Sequence, residues 1–321
     1  MNVPHPLLAI VGPTASGKSD LALLLAEDLA QRGAEIINCD SVQLYRHFDI
    51  GTAKPAPVER RGVPHHLLDA LDPRETCTAG EYARRARAVL DDLRVRGAVP
   101  IFVGGTGFYL RATLEGLFPG PARDDELRRR LARRAGERSG AYLHRLLRRL
   151  DPASASRIHA NDAPKMIRAI EVCLRARRPM SALFRETQGH GKLEGFRVLK
   201  IGLAPPRREL CERINSRAAR MFHGGLLDEV RDILARGVPR TAKPFQSHGY
   251  MEALAVVEGR MTLEEAITST QVRTRQYAKR QMTWFRRERG VHWLAAFGDA
   301  PATQHAALDW AQMELGVRLE E

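Results

Sequence analysis

The sequence predicts an α/β fold in which a parallel sheet of P-loop type is flanked by helices and interrupted by an inserted helical subdomain. Three observations predict it. The run Leu7 to Ser19, LLAIVGPTASGKS, is a short apolar strand pattern that breaks into Gly12-x-x-x-x-Gly17-Lys18-Ser19 and continues as a helix pattern, the context in which that spacing forms a phosphate-binding loop. Short apolar runs at 35–39, 99–103 and 196–203 alternate with helix-period stretches, as a parallel sheet with crossover helices requires. From Pro119-Gly120-Pro121 to about Gly195 the alternation stops and helical periodicity replaces it. The organisation read from this is a core over 1–117, an insertion over 118–195 and a return to the core over 196–321.

The first element is the strand 7–11, followed by the loop Gly12, Pro13, Thr14, Ala15, Ser16, Gly17, Lys18 and Ser19. The two glycines let successive backbone N–H groups turn inward on a phosphate, and Lys18 reaches its terminal oxygens. Ser19 offers a hydroxyl to Mg²⁺, and the helix beginning there adds its positive dipole end. That helix is expected from about Asp20 to Arg32, with Leu21, Leu24, Leu25 and Leu29 at helical spacing and Gly33 as its stop.

The strand 35–39 delivers Asp40 at its C-terminal end, the edge at which open parallel sheets bind ligands. Three readings of Asp40 are open at this point: a base beside the phosphate, a Mg²⁺ carboxylate, or a turn cap. A helix over 80–96 and a strand over 99–103 follow, and the strand runs into Gly104-Gly105-Thr106-Gly107-Phe108-Tyr109. Thr106 thereby comes to the same sheet edge, either facing the ligand or capping a turn. No Asp closes this strand, unlike the acidic strand of an ordinary P-loop ATPase.

The chain carries a net charge of +13, and its placement is informative. Residues 118–200 hold 20 Lys and Arg against 9 Asp and Glu, so about a quarter of the chain contains most of the excess. Such a surface suits a polyanion, with nucleic acid the common case, and a merely solvated Arg-rich face is the alternative. Within it, Asn161-Asp162-Ala163-Pro164-Lys165 starts a helix on which Lys165 and Arg168 share a face. Beyond the strand 196–203, Arg213 and Arg217 lie at i, i+4 on one helix, suited to bidentate phosphate contacts. The last long helix, about 262–287, interleaves Arg273, Arg275, Lys279, Arg280, Arg286 and Arg287 with Tyr277, Trp284 and Phe285, a pattern that fits stacked RNA bases or, for the aromatics, a core. No apolar run is long enough to span a bilayer and the start has no basic n-region. Cysteines 39, 77, 173 and 211 are too far apart for metal-ligand spacing. A cytoplasmic chain with reduced thiols is therefore expected, with no membrane partner and no zinc site.

GPTASGKS, DSVQLY followed by DIGTAKP, GGTGFY, NDAPKMIRAIE, RINSRAARM, GY at 249–250 and TRQYAKRQMTWFR together resemble, in order and over nearly the whole chain, the tRNA dimethylallyltransferases. The resemblance implies that Gly12 to Ser19 hold the diphosphate of dimethylallyl diphosphate, with Mg²⁺ on Ser19, rather than ATP. It implies that Asp40 is the base toward an adenine amine beside the anticodon, that Thr106 lies in the reaction channel and that Arg217 clamps the diphosphate. It further implies that the tRNA anticodon stem-loop is held by Asp40, Ser41, Val42, Gln43, Thr106 and Arg128, by Asn161 to Lys165 with Ala163 and Pro164, by Gln246, Ser247, His248, Gly249, Tyr250 and Met251, and by Lys279, Arg280 and Gln281. A monomer is expected. Lys165 stands where many relatives carry Arg, which keeps the charge and removes the bidentate fork. The residues by themselves leave a nucleoside- or nucleotide-type kinase and an RNA-binding P-loop ATPase open as other classes.

Overall fold

The computed structural model describes residues 4–137, 141–187 and 191–316. Within them the chain divides into two units, one made of Met1–Leu114 and Leu193–Glu321, the other of Glu115–Lys192.

The first unit is built on six strands, β1 (His5–Val11), β2 (Glu35–Asn38), β3 (His65–His66), β4 (Pro100–Val103), β5 (Phe196–Leu203) and β6 (Val291–Leu294). They form one sheet in the order β3-β2-β4-β1-β5-β6, and every pairing is parallel. Central β1 is apolar and buried from Leu7 to Val11 because both of its faces are covered there. Leu7, Ala9 and Val11 join a core with Phe102, Tyr82 and Leu90, whereas Leu8 and Ile10 point the opposite way into a core with Leu21, Ile101 and Ile201.

The helices follow from local signals and are held by burial. α1 (Lys18–Asp28) begins within the last two residues of the phosphate loop, two residues earlier than the sequence suggests, and the end of the expected span is a 3₁₀ turn over Ala30–Arg32. α2 (Ala79–Arg96) is capped by Thr78, whose hydroxyl accepts the Glu81 N–H at 3.2 Å, and is closed by Gly97. Its Leu90 and Leu93 are fully buried, each worth about 1.5–3 kcal/mol relative to exposure. α3 (Gly107–Glu115) continues from the β4 turn.

The second unit consists of α4 (Asp125–Glu137), α5 (Ala141–Leu150), α6 (Pro152–Arg157), α7 (Ala163–Ala176) and α8 (Met180–Glu186) around Leu131, Leu143, Leu147, Met166 and Ile170.

After β5, α9 (Arg207–Met221) passes through a π turn, Phe222–Leu226, into α10 (Leu227–Ala235). The bend falls on Gly224 and Gly225, and a π turn of this kind re-aims the following helix. α11 (Tyr250–Val257), α12 (Leu263–Phe285) and α13 (Pro301–Leu315) complete the unit. β3, β6 and α13 have no counterpart in the sequence reading. No helix among the described residues is long and apolar enough to cross a membrane.

Candidate active site

Three strand ends converge at the C-terminal edge of the sheet: β1 gives the loop 12–19, β2 gives Asp40 and β4 gives Gly104 to Thr106. Gly17 enters α1 in the left-handed region (φ 82°), and a Cβ there would lie 2.9 Å from the backbone of Asp299, so only glycine fits that turn. Pro13 has no N–H, and the Thr14 N–H is donated at 2.8 Å to Gln281 Oε1. Of the expected Gly12 to Ser19 set, Pro13 and Thr14 therefore offer no free N–H to an anion in this structure. Within the loop the Ser16 hydroxyl is buried with no partner, a polar atom in need of one. Lys18 Nζ folds back on the Pro13 carbonyl at 2.6 Å. Burial, aided by the Arg217 guanidinium and opposed by Asp40, pulls the Lys18 ammonium down to about 7. Burial likewise lowers Arg217, to about 10, with Asp40 opposing, and Arg217 donates to the Thr14 hydroxyl.

Asp40 is fixed through its main chain and one carboxylate oxygen. Its N–H is donated to Asn38 Oδ1 at 3.2 Å, and its Oδ1 accepts the N–H groups of Val42 at 2.8 Å and Gln43 at 3.3 Å. The capping reading is thus correct for Oδ1. Among the described residues no hydrogen bond falls on Oδ2. The Thr106 hydroxyl accepts the Ser41 N–H at 3.1 Å, which ties the β2 and β4 turns together.

Two cavities open on these groups. One, of about 550 Å³, is charged and polar, lined by Ser16 to Ser19 and by Lys18, Arg213, Arg217 and Arg220. The other, of about 320 Å³, is of mixed character: Val42, Tyr45, Tyr109, Ile214, Met221 and Tyr277 share its lining with Ser41, Lys243, Gln246, Ser247, His248 and Thr274. Asp40, Arg217, Thr14 and Thr52 line both. An anion bound on the loop and an apolar group in the second cavity would meet at Asp40.

A family model described as IPP transferase matches residues 43–288. The chain belongs to the IPP transferase family. It is 57% identical over 311 residues to a tRNA dimethylallyltransferase of Solibacter usitatus, with 97% of this chain and 99% of that one covered. It is 55% identical to another of Koribacter versatilis, over 92% and 94% of the two chains. The crystal structure of the full-length tRNA isopentenylpyrophosphate transferase of Bacillus halodurans superposes with a TM-score of 0.70 at 34% identity, covering 98% and 96% of the chains. A eukaryotic dimethylallyltransferase acting on tRNA gives a TM-score of 0.78 at 27% identity, over 98% and 81%.

In this IPP transferase several residues expected at the surface have inward partners instead. Tyr250 is fully buried and Gly249 nearly so. Gln281 is buried, with Nε2 donating to the Gly105 carbonyl at 2.9 Å while Oε1 holds Thr14; it joins the P-loop to the β4 turn and does not face solvent. Gln43 donates from Nε2 to the Thr52 and Ala53 carbonyls at 3.0 and 3.3 Å. Arg213 is paired with Asp299 rather than free for phosphate. In the second unit, Arg128 and Arg168 converge on Glu171, which is fully buried; burial would raise its carboxyl, yet hydrogen bonds from Arg128, the Asp124 N–H and Arg168 hold it down to about 2. Of the helix-262 aromatics, Phe285 is core and Tyr277 lines the cavity of about 320 Å³. The Trp284 indole packs under the Arg111 guanidinium at 4.4 Å. Gln246, Asn161, Pro164, Lys165, Lys279 and Arg280 are exposed, and Ser41, Val42, Ser247, His248, Met251, Asp162 and Ala163 are partly so. Asp162 caps α7, accepting the Lys165 N–H at 3.3 Å and its ammonium at 2.6 Å.

For Mg²⁺, Ser19 opens from the first turn of α1 into the polar cavity, with Asp20 and Asp40 on the same walls. A hydroxyl and carboxylates around an anion site are the hard oxygen donors that Mg²⁺ takes alongside water and phosphate, so the residues fit the ion. Among the described residues no three His, Cys, Asp or Glu side chains cluster to hold a metal, and substrate oxygens would have to complete its shell.

Proposed function

We propose that this IPP transferase moves a dimethylallyl group from dimethylallyl diphosphate to the exocyclic N6 amine of an adenine next to the tRNA anticodon. The observation that carries this is that Asp40 and Arg217 line both cavities. The diphosphate binds on the Ala15 to Ser19 amides, Lys18 and Arg217, and its prenyl carbons point toward Val42, Tyr109, Ile214 and Met221 in the second cavity. The adenine, whose amine cannot reach Asp40 from within a stacked loop, is flipped out to it. N6 attacks the allylic carbon, the C–O bond breaks, the proton leaves N6 for Asp40, and the departing charge on the diphosphate oxygens is met by the loop amides, Lys18 and Arg217. Mg²⁺ held at Ser19 would neutralise part of that charge. Thr106 keeps the Asp40 turn in place through Ser41. The exposed Lys165, Lys279 and Arg280 contact tRNA phosphates. Cysteines 39, 77, 173 and 211 are free, as the reduced thiols of a cytoplasmic chain would be, and the enzyme is proposed to act there as a monomer.

The test is incubation with bulk tRNA, Mg²⁺ and either labelled dimethylallyl diphosphate or labelled ATP. Label is expected to reach tRNA from the former without ATP hydrolysis. Transfer that requires ATP would return the kinase and ATPase readings.

A further inference from the structure

Between Asp40 and α10 runs a continuous chain of hydrogen bonds through the loop Asp49–Ala53, whose Thr52 lies on the walls of both cavities. The loop Asp49–Ala53 contains a single 3₁₀ turn, Ile50–Thr52, and Gly51 and Thr52 form part of the cavity walls. Three consecutive backbone N–H groups of this loop are held from beneath. Glu229 Oε2, on α10, accepts from Ile50 at 2.7 Å and from Asp49 at 3.2 Å. The Tyr250 hydroxyl accepts from Gly51 at 3.1 Å and donates to Glu229 Oε1. The fit is close, since a Cβ on Gly51 would stand 2.5 Å from the Tyr250 ring. On its far side the loop is stapled by Lys54, whose buried ammonium meets Asp49 and Asp69 at 2.6 Å each and the Tyr45 carbonyl at 2.8 Å.

The loop then fixes Gln43, because its Thr52 and Ala53 carbonyls accept both N–H bonds of the Gln43 amide. Gln43 in turn donates its backbone N–H to Asp40 Oδ1. The π turn at Phe222–Leu226 is what brings Glu229 under the loop: α9 before it presents Arg217 to the cavities, and α10 after it presents Glu229 to Asp49–Gly51. Neither Glu229 nor Tyr250 lines either cavity.

We infer that Glu229 and Tyr250 are positioning residues that aim the Asp40 carboxylate, acting through the Asp49–Ala53 loop and Gln43. The inference rests on the reading of Asp40 as the base. A carboxylate–phenol pair in a buried site suits this task, because both oxygens have fixed partners and a displaced loop would leave buried polar groups unmade. It also separates two duties: Arg217 serves the leaving group, while α10 serves the geometry of proton removal.

The test uses the full chain, with Tyr250→Phe and Glu229→Gln made alone and each combined with Asp40→Asn. Single-turnover prenyl transfer is followed on the preformed complex with tRNA and dimethylallyl diphosphate, with Kd for both substrates and the thermal midpoint measured in parallel. Tyr250→Phe is expected to slow transfer roughly 10- to 100-fold, the effect of misplacing a catalytic group by about 1 Å, with both affinities within about twofold of wild type. In the Asp40→Asn background it should slow transfer no further, because a residue acting through Asp40 has nothing left to act on. Glu229→Gln keeps an acceptor for Ile50 but loses one for Tyr250, so the same pattern is expected in weaker form; it carries the test if Tyr250→Phe does not fold. An unchanged rate, or losses that multiply with that of Asp40→Asn, would overturn the inference. Should Asp40→Asn alone react at near the wild-type rate, the base reading falls instead, and the two failures are told apart by that single measurement.

Discussion

Lys18 is expected to take up a proton when the diphosphate binds. In the free protein burial and Arg217 hold its ammonium at about 7, so close to neutrality a large fraction is uncharged. A diphosphate on the loop supplies the missing counter-charge and returns the group toward its ordinary value of about 10.4. The sign follows: binding favours the protonated form, so affinity is fully present below about pH 7 and falls as pH rises above it. With those two values, affinity should drop roughly fiftyfold between pH 7 and pH 9, or about 2.3 kcal/mol at 1.36 kcal/mol per unit. The accompanying uptake is about 0.5 proton at pH 7 and about 0.9 at pH 8. Titration calorimetry of dimethylallyl diphosphate in buffers of different ionisation enthalpy measures that number directly. By pH 8 the phosphate oxygens have lost their own protons, so uptake there reports the protein. Lys18→Arg should abolish both the uptake and the slope. A flat affinity profile with no proton uptake at pH 8 refutes the account of Lys18.

Asp40→Asn should lower single-turnover transfer by roughly 10²–10⁴-fold with both substrates still bound; if raising Mg²⁺ restores it, Asp40 is a metal carboxylate instead. Gln281→Ala removes the bridge between Thr14 and Gly105 and leaves buried groups unpaired, so a loss of about 1–3 kcal/mol in thermal stability and weaker diphosphate binding are expected, read by calorimetry, with the salt dependence of tRNA binding unchanged. Arg128 and Lys165 should separate. Arg128→Ala leaves Glu171 buried with one guanidinium fewer and should cost about 3–5 kcal/mol by chemical denaturation, whereas exposed Lys165→Ala should reduce the log–log salt slope of tRNA binding by about one. Equal salt slopes for wild type and Lys165→Ala would make Lys165 plain surface.

Strands buried on both faces are largely apolar runs, and for that reason β1, β2 and β4 were legible within a residue or two, while β5, with exposed Arg197 and half-buried Lys200, was legible from Val198, Leu199, Ile201 and Leu203. The loop 12–19 and the placement of Asp40 and Thr106 at strand ends followed from the same logic. What sequence could not give were the partners of its charges. Arg213 looks free beside Arg217 until Asp299, far along the chain, arrives against it, and Arg128 and Arg168 read as surface charge until α7 brings Glu171 between them. Gln281 directly follows exposed Lys279 and Arg280, yet the turn of the helix points it inward. β3, two residues long, and the π turn have no periodic signal at all. A Glu two positions after Leu227 and a Tyr following Gly249 were the only hints of the support beneath the 49–53 loop, and neither residue type nor spacing announces such a pairing.

The pairing of β1 with β5 across the insertion carries a consequence for synthesis. His5–Val11 leaves the ribosome about 190 residues before its neighbour Phe196–Leu203, which at 5–20 residues per second is an interval of about 10–40 s. Throughout it, one side of the central strand has no partner and presents open backbone groups and apolar side chains. In the same interval Glu115–Lys192 emerges complete with its own apolar centre, so the later-made unit can finish before the earlier-begun one. A nascent chain halted between residues 193 and 203 therefore holds a closed helical unit joined to an unfinished sheet, the species in which an exposed strand edge invites chaperones or aggregation.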